Sequence, residues 1–115
     1  MNKIPLIVIG GPTASGKTAL SLELAKEYNA EIVSADSMQI YKYMDIGTAK
    51  PTKEEMSGIV HHMIDIISPD EAFSVADYVK RAHEVISDII GRGKNAIVTG
   101  GTGLYINSLV NDFDF

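Results

Sequence analysis

The chain has 115 residues, of which 45% are hydrophobic and 22% are charged, a balance that is typical of one globular domain and excludes an intrinsically disordered segment. No cysteine is present, so a disulfide framework and a thiolate metal site are excluded. The formal net charge of −5 argues mildly against a nucleic-acid-binding surface on this stretch of chain, because phosphate backbones attract clusters of lysine and arginine.

An apolar run near the N-terminus, Ile4 to Ile9, is too short for the core of a signal peptide or for a membrane span. It predicts a buried strand instead. Since neither a signal peptide nor a cysteine is found, the sequence favours a cytoplasmic protein with no membrane association.

Predicted strands alternate with predicted helices, which favours a parallel sheet with helices on its faces. Leu6 to Ile9 predicts a first strand that is buried on both faces, and Glu31 to Ser34 predicts a second strand. A helix should begin between them, near Lys17. The spacing of its apolar residues predicts a buried face formed by Leu20, Leu24, Ala25 and Tyr28.

The second half of the chain predicts further elements of both kinds. His62 to Ile67 is a candidate strand. A helix should cover Ser74 to about Ile90, since Asp77 lies at capping-box spacing from the first of these residues and the apolar positions share one helical face. Ala96 to Thr99 predicts a strand, and Gly103 to Val110 predicts a helix.

The turn after the first predicted strand matches the phosphate-binding pattern G-x-x-x-x-G-K-[ST] in full. Its glycines allow backbone N–H groups to point at phosphate oxygens, and the positive end of the following helix adds to the attraction. The lysine adds a mobile cation, and the last residue offers a hydroxyl ligand to Mg²⁺. The residues predicted to bind a di- or triphosphate are Gly11, Pro12, Thr13, Ala14, Ser15, Gly16, Lys17 and Thr18.

A phosphate loop between a buried strand and a helix predicts an α/β fold, a P-loop NTPase-like parallel sheet flanked by helices. The predicted strands are fewer than such sheets usually carry, so we expect an incomplete sheet and the N-terminal piece of a longer protein. The loop alone leaves two chemistries open. It suits ATP bound for phosphoryl transfer, and it equally suits a diphosphate that departs as a leaving group.

Asp36 follows the second predicted strand, at the start of the segment that ends at Tyr41. Because the carboxyl ends of parallel strands line the ligand crevice, Asp36 should lie near the phosphate loop. A carboxylate there can bind Mg²⁺, orient Lys17 or act as a general base. A turn or N-cap aspartate is the alternative, and spacing alone weighs the two interpretations equally.

Six stretches, in this order along the chain, resemble the family of tRNA dimethylallyltransferases, also called tRNA isopentenyltransferases. They cover nearly the whole chain, and in combination they are far more specific than the phosphate loop alone. The stretches are Gly11 to Thr18, Ser34 to Tyr41, Met44 to Pro51, His61 to Ile66, Phe73 to Tyr78 and Gly100 to Tyr105.

The resemblance implies a transferase that moves a dimethylallyl group from dimethylallyl diphosphate to the N6 amine of the adenosine beside the anticodon of tRNA, giving N6-isopentenyladenosine. It implies that the phosphate loop holds the diphosphate leaving group, with Mg²⁺ on Thr18. Asp36 matches the family's general base, and Thr13 matches a residue near the reacting centre. The residues that match tRNA contacts are Asp36, Ser37, Met38, Gln39 and Thr102.

By the same resemblance, residues 1–115 form the P-loop catalytic core of a longer enzyme, expected to be monomeric at full length, whose inserted and C-terminal segments grip the tRNA. That division would explain the acidic balance of this stretch. Two other activities stay open: an adenylate isopentenyltransferase acting on free AMP, and a small-molecule kinase using ATP. A further alternative is that this stretch binds phosphate without turnover.

Three other positions have competing interpretations. His61 and His62 are neighbours in a predicted strand, so their side chains should point to opposite faces and rarely share one metal ion; a structural role is favoured. Asp65 is a candidate for contact with Mg²⁺ or phosphate. Thr102 has a helix N-cap as the alternative to a tRNA contact.

Overall fold

The computed structural model describes residues 6–10, 17–42, 58–101 and 103–112. The elements within these ranges are β1 (Leu6–Gly10), α1 (Lys17–Glu27), β2 (Ala30–Ser34), β3 (His61–His62), α2 (Val75–Gly91), β4 (Asn95–Gly100) and α3 (Gly103–Asp112). The predicted α/β fold with a parallel sheet and flanking helices is therefore confirmed.

The strands form one sheet in the order β1-β4-β2-β3, and every neighbouring pair is parallel. The register places Gly10 opposite Gly100, and Ser34 opposite Thr99. The carboxyl ends of β1, β2 and β4 therefore lie side by side. We call this end of the sheet the carboxyl edge.

The larger core cluster lies between the sheet and helix α2. The predicted apolar face of α2 is confirmed, with Tyr78, Ala82, Ile86 and Ile89 all buried. The predicted capping box is also confirmed. The Ser74 hydroxyl accepts a hydrogen bond from the N–H of Asp77, and the Asp77 carboxylate accepts one from the N–H of Ser74. Both caps satisfy N–H groups that the first helical turn leaves without intrahelical partners.

The predicted buried face of α1 is wrong in part. Leu20 is 47% exposed, and Tyr28, which lies just beyond the helix, is 48% exposed. The buried positions are Ser21 and Ala25. Small side chains let the helix approach the sheet closely, and Ala25 packs in a second core cluster with residues of β2 and β4. Leu24 is partly buried against the same cluster, so the prediction is confirmed for Leu24 and Ala25 and is wrong for Leu20 and Tyr28.

The candidate strand from His62 to Ile67 is also wrong, because β3 contains only His61 and His62. Met63 and Asp65 have φ values of 66° and 57°, which are incompatible with an extended strand. Parallel pairing returns only at Ile67, in an isolated bridge with Tyr41.

Candidate active site

The carboxyl edge also receives the first turns of two helices. Helix α1 begins at Lys17, seven residues beyond the end of β1 at Gly10, and helix α3 begins at Gly103, three residues beyond the end of β4 at Gly100. Helix N-termini carry partial positive charge and unpaired N–H groups, which attract anions. The carboxyl edge thus combines the ends of three parallel strands with two helix N-termini, the usual place for a ligand crevice.

Most of the predicted phosphate-binding residues lie outside the described residues, and their roles stay predictions. The backbone of Lys17 and Thr18 forms the first turn of α1, where the sequence placed it. The predicted site residues outside the described ranges are Gly11, Pro12, Thr13, Ala14, Ser15, Gly16 and Thr102.

Asp36 begins a tight turn just beyond β2, which we call the Asp36 turn (residues 36–40). Its Oδ1 atom accepts hydrogen bonds from the N–H of Met38 at 2.8 Å and from the N–H of Gln39 at 3.3 Å. Among the described residues, both hydrogen bonds to this carboxylate end on Oδ1, and the side chain is half-buried.

The two interpretations of Asp36 are therefore compatible, since the turn-capping aspartate uses one oxygen and a general base needs only the other. The predicted RNA-contacting residues Ser37, Met38 and Gln39 lie in the same turn. Met38 is 44% exposed. The Ser34 hydroxyl donates a 3.1 Å hydrogen bond to Oε1 of Gln39, which orients that amide relative to the end of β2.

The backbone before the Asp36 turn packs against β4. The Ala35 N–H donates a 2.8 Å hydrogen bond to the Thr99 carbonyl. A Cβ atom on Gly100 would overlap the Ala35 carbonyl oxygen, closer than real Cβ contacts occur. Glycine at position 100 thus allows the two chain segments to meet. The Gly-Gly pair at the end of the predicted strand is the signal in the sequence for this close approach.

Two buried tyrosines near this turn were missed as site residues. The Tyr78 hydroxyl donates a 2.8 Å hydrogen bond to the Ser34 carbonyl. The Tyr105 ring stacks on Tyr78 with 4.2 Å between ring centroids. Burial raises the pKa of both phenols, and for Tyr105 the negative charge of Asp36 adds to the rise in pKa. A tyrosine on a buried helix face needs a hydrogen-bond partner, and that was the signal in the sequence.

The segment of the candidate strand also contacts the Asp36 turn. The Asp65 N–H donates a 3.0 Å hydrogen bond to the Gln39 carbonyl, and the Ile66 N–H donates one of 2.9 Å to the Ile40 carbonyl. The structure therefore places Asp65 beside the turn through its backbone. Its proposed contact with Mg²⁺ or phosphate stays a prediction.

The two adjacent histidines have different partners. His61 Nδ1 lies 2.9 Å from the Ile59 carbonyl oxygen, and His62 Nε2 lies 2.7 Å from Oε1 of Glu31. Burial is the main cause that lowers the pKa of His61. In the ranges that the structure describes, no group of three or more histidine, cysteine or acidic side chains is arranged to hold a metal ion. These contacts agree with the structural role favoured for the pair.

Similarity to known proteins agrees with this geometry. A family model described as IPP transferase matches residues 39–115. The chain belongs to the IPP transferase family. It is 64% identical over 107 residues to the tRNA dimethylallyltransferase of Thermoanaerobacter sp. (strain X514), covering 93% of the chain and 34% of that protein. It is also 64% identical over 115 residues to the one from Staphylococcus haemolyticus (strain JCSC1435), covering 100% and 35%.

Solved structures give the same fold. The full-length tRNA isopentenylpyrophosphate transferase of Bacillus halodurans superposes with a TM-score of 0.93 at 52% identity, covering 98% of the chain and 37% of that structure. A eukaryotic dimethylallyltransferase acting on tRNA superposes with a TM-score of 0.87 at 36% identity, covering 94% and 27%. The chain thus spans about a third of the length of these relatives. In the described part of the chain, no helix is long and apolar enough to cross a bilayer.

Proposed function

We propose that this chain forms the catalytic core of an enzyme that transfers a dimethylallyl group from dimethylallyl diphosphate to the N6 amine of the adenosine next to the anticodon of a tRNA. The proposal is supported by the names of its relatives, by the eukaryotic neighbour that acts on tRNA, and by the acidic side chain at the carboxyl edge. We further propose that the enzyme is cytoplasmic and monomeric.

Asp36 carries the chemistry in this proposal. An exocyclic adenine amine is a weak nucleophile, because its lone pair is delocalised into the ring. As the new N–C bond forms and the C–O bond to the diphosphate breaks, the amine must lose a proton. The Oδ2 atom of Asp36 accepts that proton, while Oδ1 stays bound to the N–H groups of Met38 and Gln39 and keeps the carboxylate in place.

The departing diphosphate takes the electron pair of the broken C–O bond and becomes more negative. Backbone N–H groups of the phosphate loop, Lys17 and the N-terminus of α1 stabilise that charge. Thr13 lies near the reacting carbon in this proposal. ATP is then not a substrate, and the loop serves as a leaving-group site.

We further propose that a magnesium ion accompanies the diphosphate. Mg²⁺ in phosphate sites usually takes one or two protein ligands and completes its shell with water and phosphate oxygens, so it does not require an acidic cluster. Thr18, in the first turn of α1, is the proposed protein ligand. When bound, the ion would neutralise part of the diphosphate charge.

The RNA is proposed to present its base to the Asp36 turn. Ser37, Met38 and Gln39 would contact the extracted nucleotide, and Thr102 would lie beside it. A base in an anticodon loop is already outside a duplex, so leaving its stack costs a few kcal/mol at most. With a net charge of −5 on this stretch, the phosphate-backbone contacts are proposed to come from another part of the enzyme.

The observation that carries the proposal is the half-buried Asp36 carboxylate, held through one oxygen at the carboxyl edge. The test uses protein expressed from its complete reading frame, with dimethylallyl diphosphate, Mg²⁺ and an anticodon stem-loop RNA. We expect the RNA to gain the mass of one isopentenyl group. A matched RNA with inosine at the target position lacks the amine and should gain nothing.

A lack of mass gain on the adenosine-containing RNA would refute the proposal. Transfer to free AMP without transfer to RNA would assign the adenylate activity instead. Phosphorylation of a small molecule by ATP would assign the kinase activity.

A further inference from the structure

We propose that Tyr78 is a positioning residue for Asp36, because its buried hydroxyl fixes the backbone carbonyl of Ser34 and thereby the start of the Asp36 turn. The inference rests on the proposed role of Asp36 as the base. Helix α2, whose apolar face packs in the core, would then also hold the Asp36 carboxylate in position.

The first step is the direction of the Ser34 carbonyl. In a strand, alternate residues direct their N–H and carbonyl groups to opposite neighbours. The Ile32 N–H bonds to the Val60 carbonyl on the β3 side, whereas the Ala35 N–H bonds to the Thr99 carbonyl of β4. Ser34 is two residues after Ile32, so its backbone groups point to the same side of the strand as those of Ile32. The Ser34 carbonyl therefore faces the β3 side.

The second step is that β3 ends too early to offer an N–H donor to the Ser34 carbonyl. The last residue of β3, His62, is the register partner of Val33. The next residue, Met63, has a φ of 66° and leaves the strand direction. The Tyr78 hydroxyl, 2.8 Å from the Ser34 oxygen, stands where a longer strand would have supplied an N–H donor. A buried carbonyl without such a donor would be costly.

The third step is the distance from this bond to the reacting group. Only one residue, Ala35, separates Ser34 from Asp36, and it is held on its other side by Thr99 and by close approach to Gly100. Tyr78 thus fixes one side of the chain just before the carboxylate, and β4 fixes the opposite side. A displacement of Ser34 would be passed directly to the Asp36 side chain.

Tyr105 extends the same support from helix α3. Its ring stacks on Tyr78 with an interplanar angle of 17°, and it is close enough to Asp36 for that carboxylate to act on its ionisation. The stacked pair keeps the Tyr78 ring in one orientation, so its hydroxyl stays directed at the Ser34 oxygen. Tyr78 has 0% of its surface exposed, which leaves no room for the ring to turn away.

The decisive variant is Tyr78→Phe, which keeps the ring and the stack and removes only the hydroxyl. In the enzyme from the complete reading frame, we expect kcat to fall about tenfold to a hundredfold, because a misplaced general base loses that much. The KM for dimethylallyl diphosphate should stay within about twofold, since the phosphate loop is not touched. Tyr28→Phe, at an exposed tyrosine, is the matched control and should keep the kcat of the natural enzyme.

A double-mutant cycle distinguishes a positioning role of Tyr78 from a general loss of structure. If Tyr78 acts through Asp36, then Tyr78→Phe should cause no further loss of kcat in an Asp36→Asn background. Amide hydrogen exchange gives a second measurement that does not need activity. The N–H groups of Met38 and Gln39, which bond to Asp36, should exchange faster in Tyr78→Phe than in Tyr28→Phe.

Three results would overturn the inference while leaving the proposed role of Asp36 untouched. The first is an unchanged kcat in Tyr78→Phe while Asp36→Asn is strongly impaired. The second is an equal loss from Tyr78→Phe in both backgrounds. The third is unchanged exchange at Met38 and Gln39 in a variant that is folded by circular dichroism. If Asp36→Asn itself keeps full activity, the proposed base is wrong, and the inference falls with it.

Discussion

One carboxylate lies near each end of strand β2, and the two have different kinds of hydrogen-bond partner. At the amino end, the Glu31 side chain is 3% exposed and is surrounded by two cationic side chains and an imidazole. Arg92 donates to both of its oxygens, at 2.7 and 2.8 Å, and His62 and Lys94 lie at 2.7 and 3.5 Å. We call these four residues the Glu31 ion cluster. Beyond the carboxyl end, Asp36 is half-buried and bonded to backbone N–H groups through one oxygen.

The two carboxylates differ in burial and in the groups that bond to them. Hydrogen bonding to Arg92 lowers the pKa of Glu31 to about 2, against the opposing effect of burial, with His62 adding to the decrease. A carboxylate with such a low pKa is a poor proton acceptor, and its oxygens are already engaged. Asp36 has no cation of this kind among the described side chains that contact it, and it keeps an accepting oxygen at the carboxyl edge.

The largest expected effect is at Asp36. Asp36→Asn keeps the side-chain shape and its oxygen acceptor for the turn, but it removes the base. We expect kcat to fall by about 10²- to 10⁴-fold, the usual contribution of general-base catalysis. The Kd for dimethylallyl diphosphate, measured by calorimetry, should stay nearly unchanged. Lys17→Ala is the contrasting variant and should weaken diphosphate binding. A large change in Kd without a change in kcat for Asp36→Asn would contradict the comparison.

The next effect is at Gly100, where the close approach to Ala35 holds the Asp36 turn. In Gly100→Ala the new Cβ would meet the Ala35 carbonyl oxygen, so the turn must shift. We expect a loss of about 1–3 kcal/mol in the free energy of unfolding together with reduced kcat. Urea denaturation and steady-state kinetics check both. Gly91→Ala, at a helix position where a Cβ meets nothing within 4 Å, is the control and should retain activity.

Substitution of Glu31 should lower the stability of the protein and leave kcat nearly unchanged, in contrast to substitution of Asp36. Glu31→Gln removes the buried charge that Arg92 and His62 surround, and we expect the free energy of unfolding to fall by about 1–3 kcal/mol. The kcat at a temperature well below the unfolding midpoint should stay within about twofold of the natural enzyme, since the cluster lies at the other end of β2. A strong loss of kcat in a fully folded Glu31→Gln enzyme would show that the two ends are coupled.

The smallest effect is the pH dependence of stability. The folded pKa of Glu31 is about 2, below its ordinary value of 4.5, so its stabilising contribution is complete above about pH 4.5 and is lost as the pH falls towards 2. The lowered pKa of Asp77 acts in the same direction. Urea denaturation at a series of pH values should show this decline, and Glu31→Gln should reduce its slope. An equal slope in both proteins would assign the decline to other groups.

Features formed by residues that are close together in the sequence could be predicted from local patterns. The capping box of Ser74 and Asp77 and the apolar face of α2 are local patterns, and both were predicted correctly. The first strand was also predicted, but it is not buried on both faces, since Val8 is 39% exposed. The position of Asp36 after a parallel strand was also readable, because strand ends gather at one edge. The phosphate loop stays a prediction from its pattern.

Only the tertiary structure decided the features that join distant parts of the chain. The packing of α1 on the sheet buries Ser21 and leaves Leu20 and Tyr28 exposed, which the apolar spacing did not predict. The early end of β3 came from backbone angles at Met63 and Asp65 that apolar periodicity does not report. The hydrogen bond from Tyr78 to Ser34 joins residues 44 positions apart, so no local pattern contains it. Contacts of this kind arise from packing the whole domain at once, and they hold Asp36 where its chemistry is proposed to occur.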